Sequence, residues 1–165
     1  MTIEVGEVVF ADTNVLLCAT DRSREHHEEA RRLIRDAGPS GYHLALSGQI
    51  IREYLVVATR PMAENGLGLS VPEALHNVDQ FSRPPTVFCD EPESVSARLR
   101  ELTAAHGLRG KRIHDANVVA TMLVHGIRRL ITENTDDFAV FDEIETSTPS
   151  RIRQEGELPP AGDRD

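Results

Sequence analysis

No stretch of the sequence is apolar for long enough to cross a bilayer as a helix, which takes about 20 consecutive apolar residues, so no membrane-spanning helix and no membrane partner are expected. The opening Met1-Thr2-Ile3-Glu4-Val5-Gly6-Glu7 lacks a basic segment followed by an apolar one, so it does not read as a secretory signal. Cysteine is scarce: Cys18 and Cys89 lie in apolar surroundings and form neither a C-x-x-C pair nor a metal spacing. Reduced thiols and a cytoplasmic location are the expectation. An excess of positive charge is also missing. The net charge of −9 argues against holding nucleic acid by overall electrostatics, so any nucleic-acid site must be local or assisted by cations. No Pro/Gly/Ser-rich linker and no internal repeat divides the chain, which implies one domain over residues 1–148 and a polar, frayed tail over 149–165.

What is present is an ordinary globular composition, 39% hydrophobic and 27% charged, arranged around Val8-Val9-Phe10-Ala11-Asp12-Thr13-Asn14-Val15-Leu16-Leu17. A β-branched apolar run that stops at an acid and two small polar residues reads as a buried parallel strand delivering Asp12 to the edge of a sheet. The apolar residues after Thr13 and Asn14 begin a helix. Alone, Asp12 reads as a helix N-cap at least as readily as a functional acid. The balance changes only if other acids reach the same edge, where open parallel sheets bind ligands.

Strands and helices then alternate. His26 to Arg35 is a polar helix with Ala30, Leu33 and Ile34 inside, and the adjacent His26 and His27 are assigned to solvent because neighbours on a helix do not share a face. Tyr42 to Ser47 is a strand, with Ser47 an N-cap for a helix over Gln49 to Thr59. Glu53 sits on the border of that helix's apolar stripe, equally compatible with a surface acid and one aimed into a pocket. Ser70 and Glu73 stand at capping-box spacing at the start of a helix to about Phe81. Thr86 to Cys89 is a strand, Glu91 to His106 a helix ended by Gly107, and the segment from Ile113 to Gly126 a buried helix whose Asp115 points inward in the first turn. Such an acid is either a dipole partner or needs a metal, donors or water. Arg128 to Thr132 leads through a fourth strand into Glu133-Asn134-Thr135-Asp136-Asp137-Phe138, and a short final strand is placed near Ile144 to Thr146.

Parallel βαβ units put strand ends and helix starts on one edge, so Asp12, Asp115 and the Asn134–Asp137 turn can share a pocket. Clustered carboxylates favour a hard divalent cation, Mg2+ or Mn2+, and metal-assisted phosphodiester hydrolysis is the chemistry this suits best.

Together, Asp12-Thr13-Asn14, Glu53 within Gln-x-x-x-Glu, His114-Asp115-Ala116 and Thr-x-Asn-x-x-Asp-Phe at 132–138 resemble PIN-domain ribonucleases of the VapC toxin type. The resemblance covers about Val8 to Phe138. It implies a three-layer α/β/α fold with a central, mostly parallel sheet of four to five strands, and a Mg2+-dependent endoribonuclease acting as a homodimer and inhibited by a small antitoxin. Carried over, Asp12 and Asp115 look like metal ligands and Glu53 like a ligand or general base. The family's fourth acidic position falls on Asn134, a departure that Asp137 or Asp136 could offset. Thr13 and Thr132 look like pocket hydroxyls.

Arg109, Lys111 and Arg112 precede the Asp115 helix and read as contacts to RNA phosphate or to an antitoxin. Two alternatives compete. An aspartyl-phosphate phosphatase wants a second acid two residues after the nucleophile, where this chain has Asn14. A catalytically weak PIN-like module acting through a protein or RNA partner gains support from Asn134.

Overall fold

The structure is a computed structural model that describes residues 2–154. Its elements run β1 (Thr2–Ile3), β2 (Val8–Ala11), α1 (Thr13–Thr20), α2 (His27–Asp36), β3 (His43–Ser47), α3 (Gly48–Thr59), α4 (Val71–Phe81), β4 (Val87–Cys89), α5 (Glu93–Ala105), α6 (Arg112–Val124), β5 (Arg129–Ile131), β6 (Glu145–Ser147) and β7 (Arg153–Gln154). Five strands form an all-parallel sheet in the order β4-β3-β2-β5-β6, flanked by the six helices in a three-layer α/β/α arrangement. Among the described residues no helix is long and apolar enough to cross a membrane.

The strands are short and apolar because both faces of the sheet are covered. Val9, Phe10, Ala11, Leu44, Ala45, Leu46, Leu130 and Ile131 are all buried. Helix α1 packs on α2 and α3, α3 packs on α4, and α5 pairs with α6. The capping box at Ser70 and Glu73 is formed in both directions, and Gly107 and Gly126 take positive φ just after α5 and α6.

The order of the strands positions the site. From β2 the chain steps outward to β3 and β4, then returns to place β5 on the other side of β2. The carboxyl ends of β2 and β5 therefore flank the topological switch point, where neighbouring connections diverge and leave a crevice. Asp12 follows one of these strands and Thr132 the other.

Three details differ from the sequence reading. His27 is buried and its Nδ1 lies 2.8 Å from the carbonyl oxygen of Cys18, because the start of α2 folds back against the end of α1; only His26 keeps partial exposure. Helix α5 starts at Glu93 and not at Glu91, whose carboxylate instead accepts from the backbone N of Gln49 at 3.0 Å. Pro149–Arg151 forms a 3-10 turn, and Arg153–Gln154 pairs in parallel with Thr2–Ile3 as a separate two-stranded ribbon, while the remainder of the expected tail lies outside the described residues.

Candidate metal centre

Asp12 stands between the last residue of β2 and the first of α1. Its Oδ1 accepts from the backbone N of Thr13 at 2.7 Å, the cap bond of α1. Its Oδ2 accepts from Thr132 Oγ1 at 2.7 Å and from Asn14 Nδ2 at 2.8 Å. These donors favour the carboxylate, yet burial outweighs them and, with the charges of Glu53 and Asp115, lifts the Asp12 pKa to about 6. Capping and membership of an acid cluster are thus compatible, because one oxygen meets the helix N-terminus while the group as a whole faces other acids.

Glu53 comes from α3, whose N-terminus lies at the same edge because β3 is parallel to β2. Both of its oxygens are held. Thr13 Oγ1 donates to Oε2 at 3.0 Å, and Gln49 Nε2, one turn earlier on the same helix face, donates to Oε1 at 2.7 Å. Asp115, in the first turn of α6, is partly buried. Burial raises its pKa, and the charges of Asp137 and Glu53 raise it further against the lowering influence of His114 and Lys111. The charges of Glu53 and Asp115 thus act on Asp12, and those of Asp137 and Glu53 act on Asp115.

Asn134 occupies a different place. It is exposed, its backbone N donates to Thr132 Oγ1 at 3.1 Å, and its carbonyl accepts from the backbone N of Asp137 at 3.1 Å, opening the 3-10 turn Thr135–Phe138. From this loop it is Asp137 whose charge acts on Asp115. Of the basic residues, Arg109, Lys111 and Arg112 are all exposed, and Lys111 lies close enough to Asp115 to favour its ionised form.

Four residues that the sequence did not single out as site residues, Asn14, Gln49, Glu91 and Asn117, support the acids. Asn14 donates to both Asp12 Oδ2 and Thr132 Oγ1, the latter at 2.9 Å, and accepts from the backbone N of Glu133 at 3.0 Å. Asn117 donates to Gln49 Oε1 at 2.7 Å and to Glu91 Oε2 at 3.2 Å, and Glu91 Oε1 accepts from the backbone N of Gln49 at 3.0 Å. The spacing Gln49 to Glu53 was a usable signal; the Asn117 and Glu91 contacts cross between helices and leave none.

The donor set consists of carboxylate oxygens, with no thiolate and no imidazole among the acids that act on one another, and it suits a hard cation. The lifted Asp12 pKa comes first from burial, with the charges of Glu53 and Asp115 adding to it. Among the described residues, no three His, Cys, Asp or Glu side chains stand close enough to enclose an ion unaided.

A parallel α/β/α sheet with acids at its switch point defines the class of fold. Within it, this chain belongs to the PIN domain family, whose model matches residues 9–144. Over 141 residues it is 31% identical to Ribonuclease VapC48 of Mycobacterium tuberculosis (strain CDC 1551 / Oshkosh), covering 84% of this chain and 94% of that protein. Among solved structures it is similar to Mycobacterium tuberculosis VapC20, described as a sarcin-ricin loop cleaving toxin, with a TM-score of 0.62 and 17% identity over 81% of this chain and 95% of that one. It is also similar to VapBC2 from Rickettsia felis bound to a DNA fragment from their promoter, with a TM-score of 0.61 and 13% identity over 86% of this chain and 98% of that one. At these identities the structural likeness establishes the fold.

Proposed function

We propose that this protein is a Mg2+-dependent endoribonuclease, with Mn2+ a substitute, and the toxin of a toxin–antitoxin pair restrained by a small antitoxin protein. The observation that carries the reading is the approach of Asp12, Glu53 and Asp115 from three different elements at the sheet's switch point, where the charges of Glu53 and Asp115 act on Asp12 and that of Glu53 acts on Asp115. Relatedness to a named ribonuclease supports RNA as the substrate. Neighbours that are toxin–antitoxin complexes support the antitoxin.

Asp12 and Asp115 would hold the cation, with Asp137 supplying charge beside Asp115. When bound, the ion neutralises the phosphate and lowers the pKa of a bound water. Glu53, with one oxygen on Gln49 and the other on Thr13, has its carboxylate plane fixed and serves as the proton acceptor for the attacking water. Thr132 and Asn14 hold Asp12 Oδ2 in place, and Lys111 offsets phosphate charge. Hydrolysis joins the water oxygen to phosphorus, breaks one ester P–O bond and delivers a proton to the departing oxygen.

The exposed Asn134, at the position where the family places a fourth acid, favours a second reading in which the protein binds RNA or protein with little turnover. One experiment separates the two. Mapping cleavage ends on total RNA with Mg2+ supplied should reveal discrete sites that disappear with chelator and in Asp115→Asn. Identical end maps with and without Mg2+ would leave the binding-module reading standing.

A further inference from the structure

We propose that the cleft between the N-terminal half of α3 and the start of α6 is a nucleobase subsite, which seats the base of the nucleotide next to the scissile phosphate. The proposal rests on the ribonuclease reading and names how that enzyme selects its substrate. The cleft has a volume of about 300 Å3, and Glu53 forms part of its wall, so its occupant is adjacent to the acid centre. That volume lies at the small end of ligand pockets and suits a single ring system.

The wall chemistry distinguishes a base from a phosphate. Leu99 and Ile113 give the cleft apolar surface, and Ile113 remains 38% exposed although most of α6 beyond Asp115 is buried. The exposed ring of His114 lies beside it. Apolar and aromatic surface next to a phosphate site is how single-stranded RNA is held, by stacking on unpaired bases. Asn117 spends its amide nitrogen on Gln49 and Glu91, and its Oδ1 makes no hydrogen bond among the described residues, leaving an acceptor for an exocyclic amine. Arg52 stands on the rim with its side chain 69% exposed, 3.6 Å from Glu91, and supplies a cation for the neighbouring backbone phosphate.

The cleft is also preorganised. Gln49 is only 5% exposed, and its Nε2 donates both to Glu53 Oε1 and, at 3.1 Å, to the backbone carbonyl of His114, while its Oε1 accepts from Asn117. One buried amide thus fixes the separation of the two walls. A base entering the cleft meets a surface that is already set, so little ordering opposes its binding.

The test compares His114→Ala, Ile113→Ala and His114→Phe. Binding of short single-stranded oligoribonucleotides is measured in an Asp115→Asn background, which removes one repelling charge and stops turnover, and cleavage is measured in the otherwise native chain. Both alanine variants should weaken binding about tenfold and raise KM with kcat retained, and should flatten the nucleotide preference at one position flanking the cut. His114→Phe should stay within about twofold, because a phenyl ring stacks as imidazole does. Unchanged binding and preference in the alanine variants, equal loss in His114→Phe, or no RNA binding at all would overturn the subsite. A protein that binds RNA and shows the expected variant pattern, yet does not cleave with Mg2+, would retain the subsite and refute the nuclease.

Discussion

Gln49 Nε2 lies 2.7 Å from Glu53 Oε1, so a buried amide and a partly buried carboxylate one helical turn apart act as a unit. Without that donor the carboxylate would be tethered through Thr13 alone. Gln49→Ala should therefore lower kcat for RNA cleavage by about tenfold or more with KM little changed, as expected when a proton acceptor loses its orientation. It should also cost about 1–3 kcal/mol of stability, because the carbonyl of His114 and the amide of Asn117 lose their partner. Single-turnover cleavage and denaturant melts read both quantities, and an unaltered kcat would remove Glu53 from the proton-transfer step.

Asp12→Asn and Asp115→Asn should each reduce Mg2+-dependent cleavage at least about a hundredfold. Their stabilities in chelator should differ. Asp115→Asn removes a charge that burial, Asp137 and Glu53 all disfavour, and should raise the melting temperature. Asp12→Asn relieves similar repulsion but turns an amide nitrogen toward the donors Asn14 and Thr132, so its gain should be smaller. Thermal melts of both variants with chelator, and again with excess Mg2+, check the order. A wild-type Mg2+ shift that persists in both variants would locate the ion elsewhere.

The lifted Asp12 pKa sets a pH dependence. Its value of about 6 in the fold lies above the unfolded 3.8, so the folded state binds the extra proton between these values, and that stabilisation is lost as pH rises through 6. In chelator, lowering the pH from 7 to 5 should stabilise the protein through this group by about 1.4 kcal/mol, roughly 3–6 °C in melting temperature. Apparent Mg2+ affinity should move the opposite way, falling up to tenfold per pH unit below about 6 as proton and cation compete. Melting series at several pH values, with and without Mg2+, test both directions.

Replacing Arg109, Lys111 and Arg112 together by alanine should weaken RNA binding and flatten its salt dependence, by about 0.7 in logarithmic slope for each single-strand phosphate that the loop no longer neutralises. The three side chains are exposed, so the fold should be unaffected. A salt slope equal to that of the native protein would assign the loop to the antitoxin or to solvent.

Much of this architecture was legible in local pattern. The stop of an apolar run at Asp12, the Ser70–Glu73 capping box and the glycines after α5 and α6 each encode an element boundary within a few residues. Features settled by distant partners were not. The direction of Glu53 depends on Thr13, 40 residues earlier, and the burial of His27 depends on where α2 meets the end of α1. That Asp137, exposed like Asn134, is the residue of this loop whose charge acts on Asp115 was equally hidden, because it depends on the path of the 3-10 turn Thr135–Phe138. The pairing of Thr2–Ile3 with Arg153–Gln154 joins segments about 150 residues apart, too short to show any periodicity.

The side chain of Asn14 has a consequence for motion. By accepting from the backbone N of Glu133 while Thr132 Oγ1 accepts from that of Asn134, it extends pairing between the β2 and β5 ends past the last ladder bond, using side chains in place of strand backbone. The two loop amides should then exchange with deuterium far more slowly than those of an ordinary surface turn, closer to the rate of the sheet. Asn14→Ala should release the Glu133 amide, whose acceptor it removes, leaving the Phe10 and Ala11 amides protected. The acid-bearing loop would thereby become a hinge, and Asp137 would sample many positions where it now holds one.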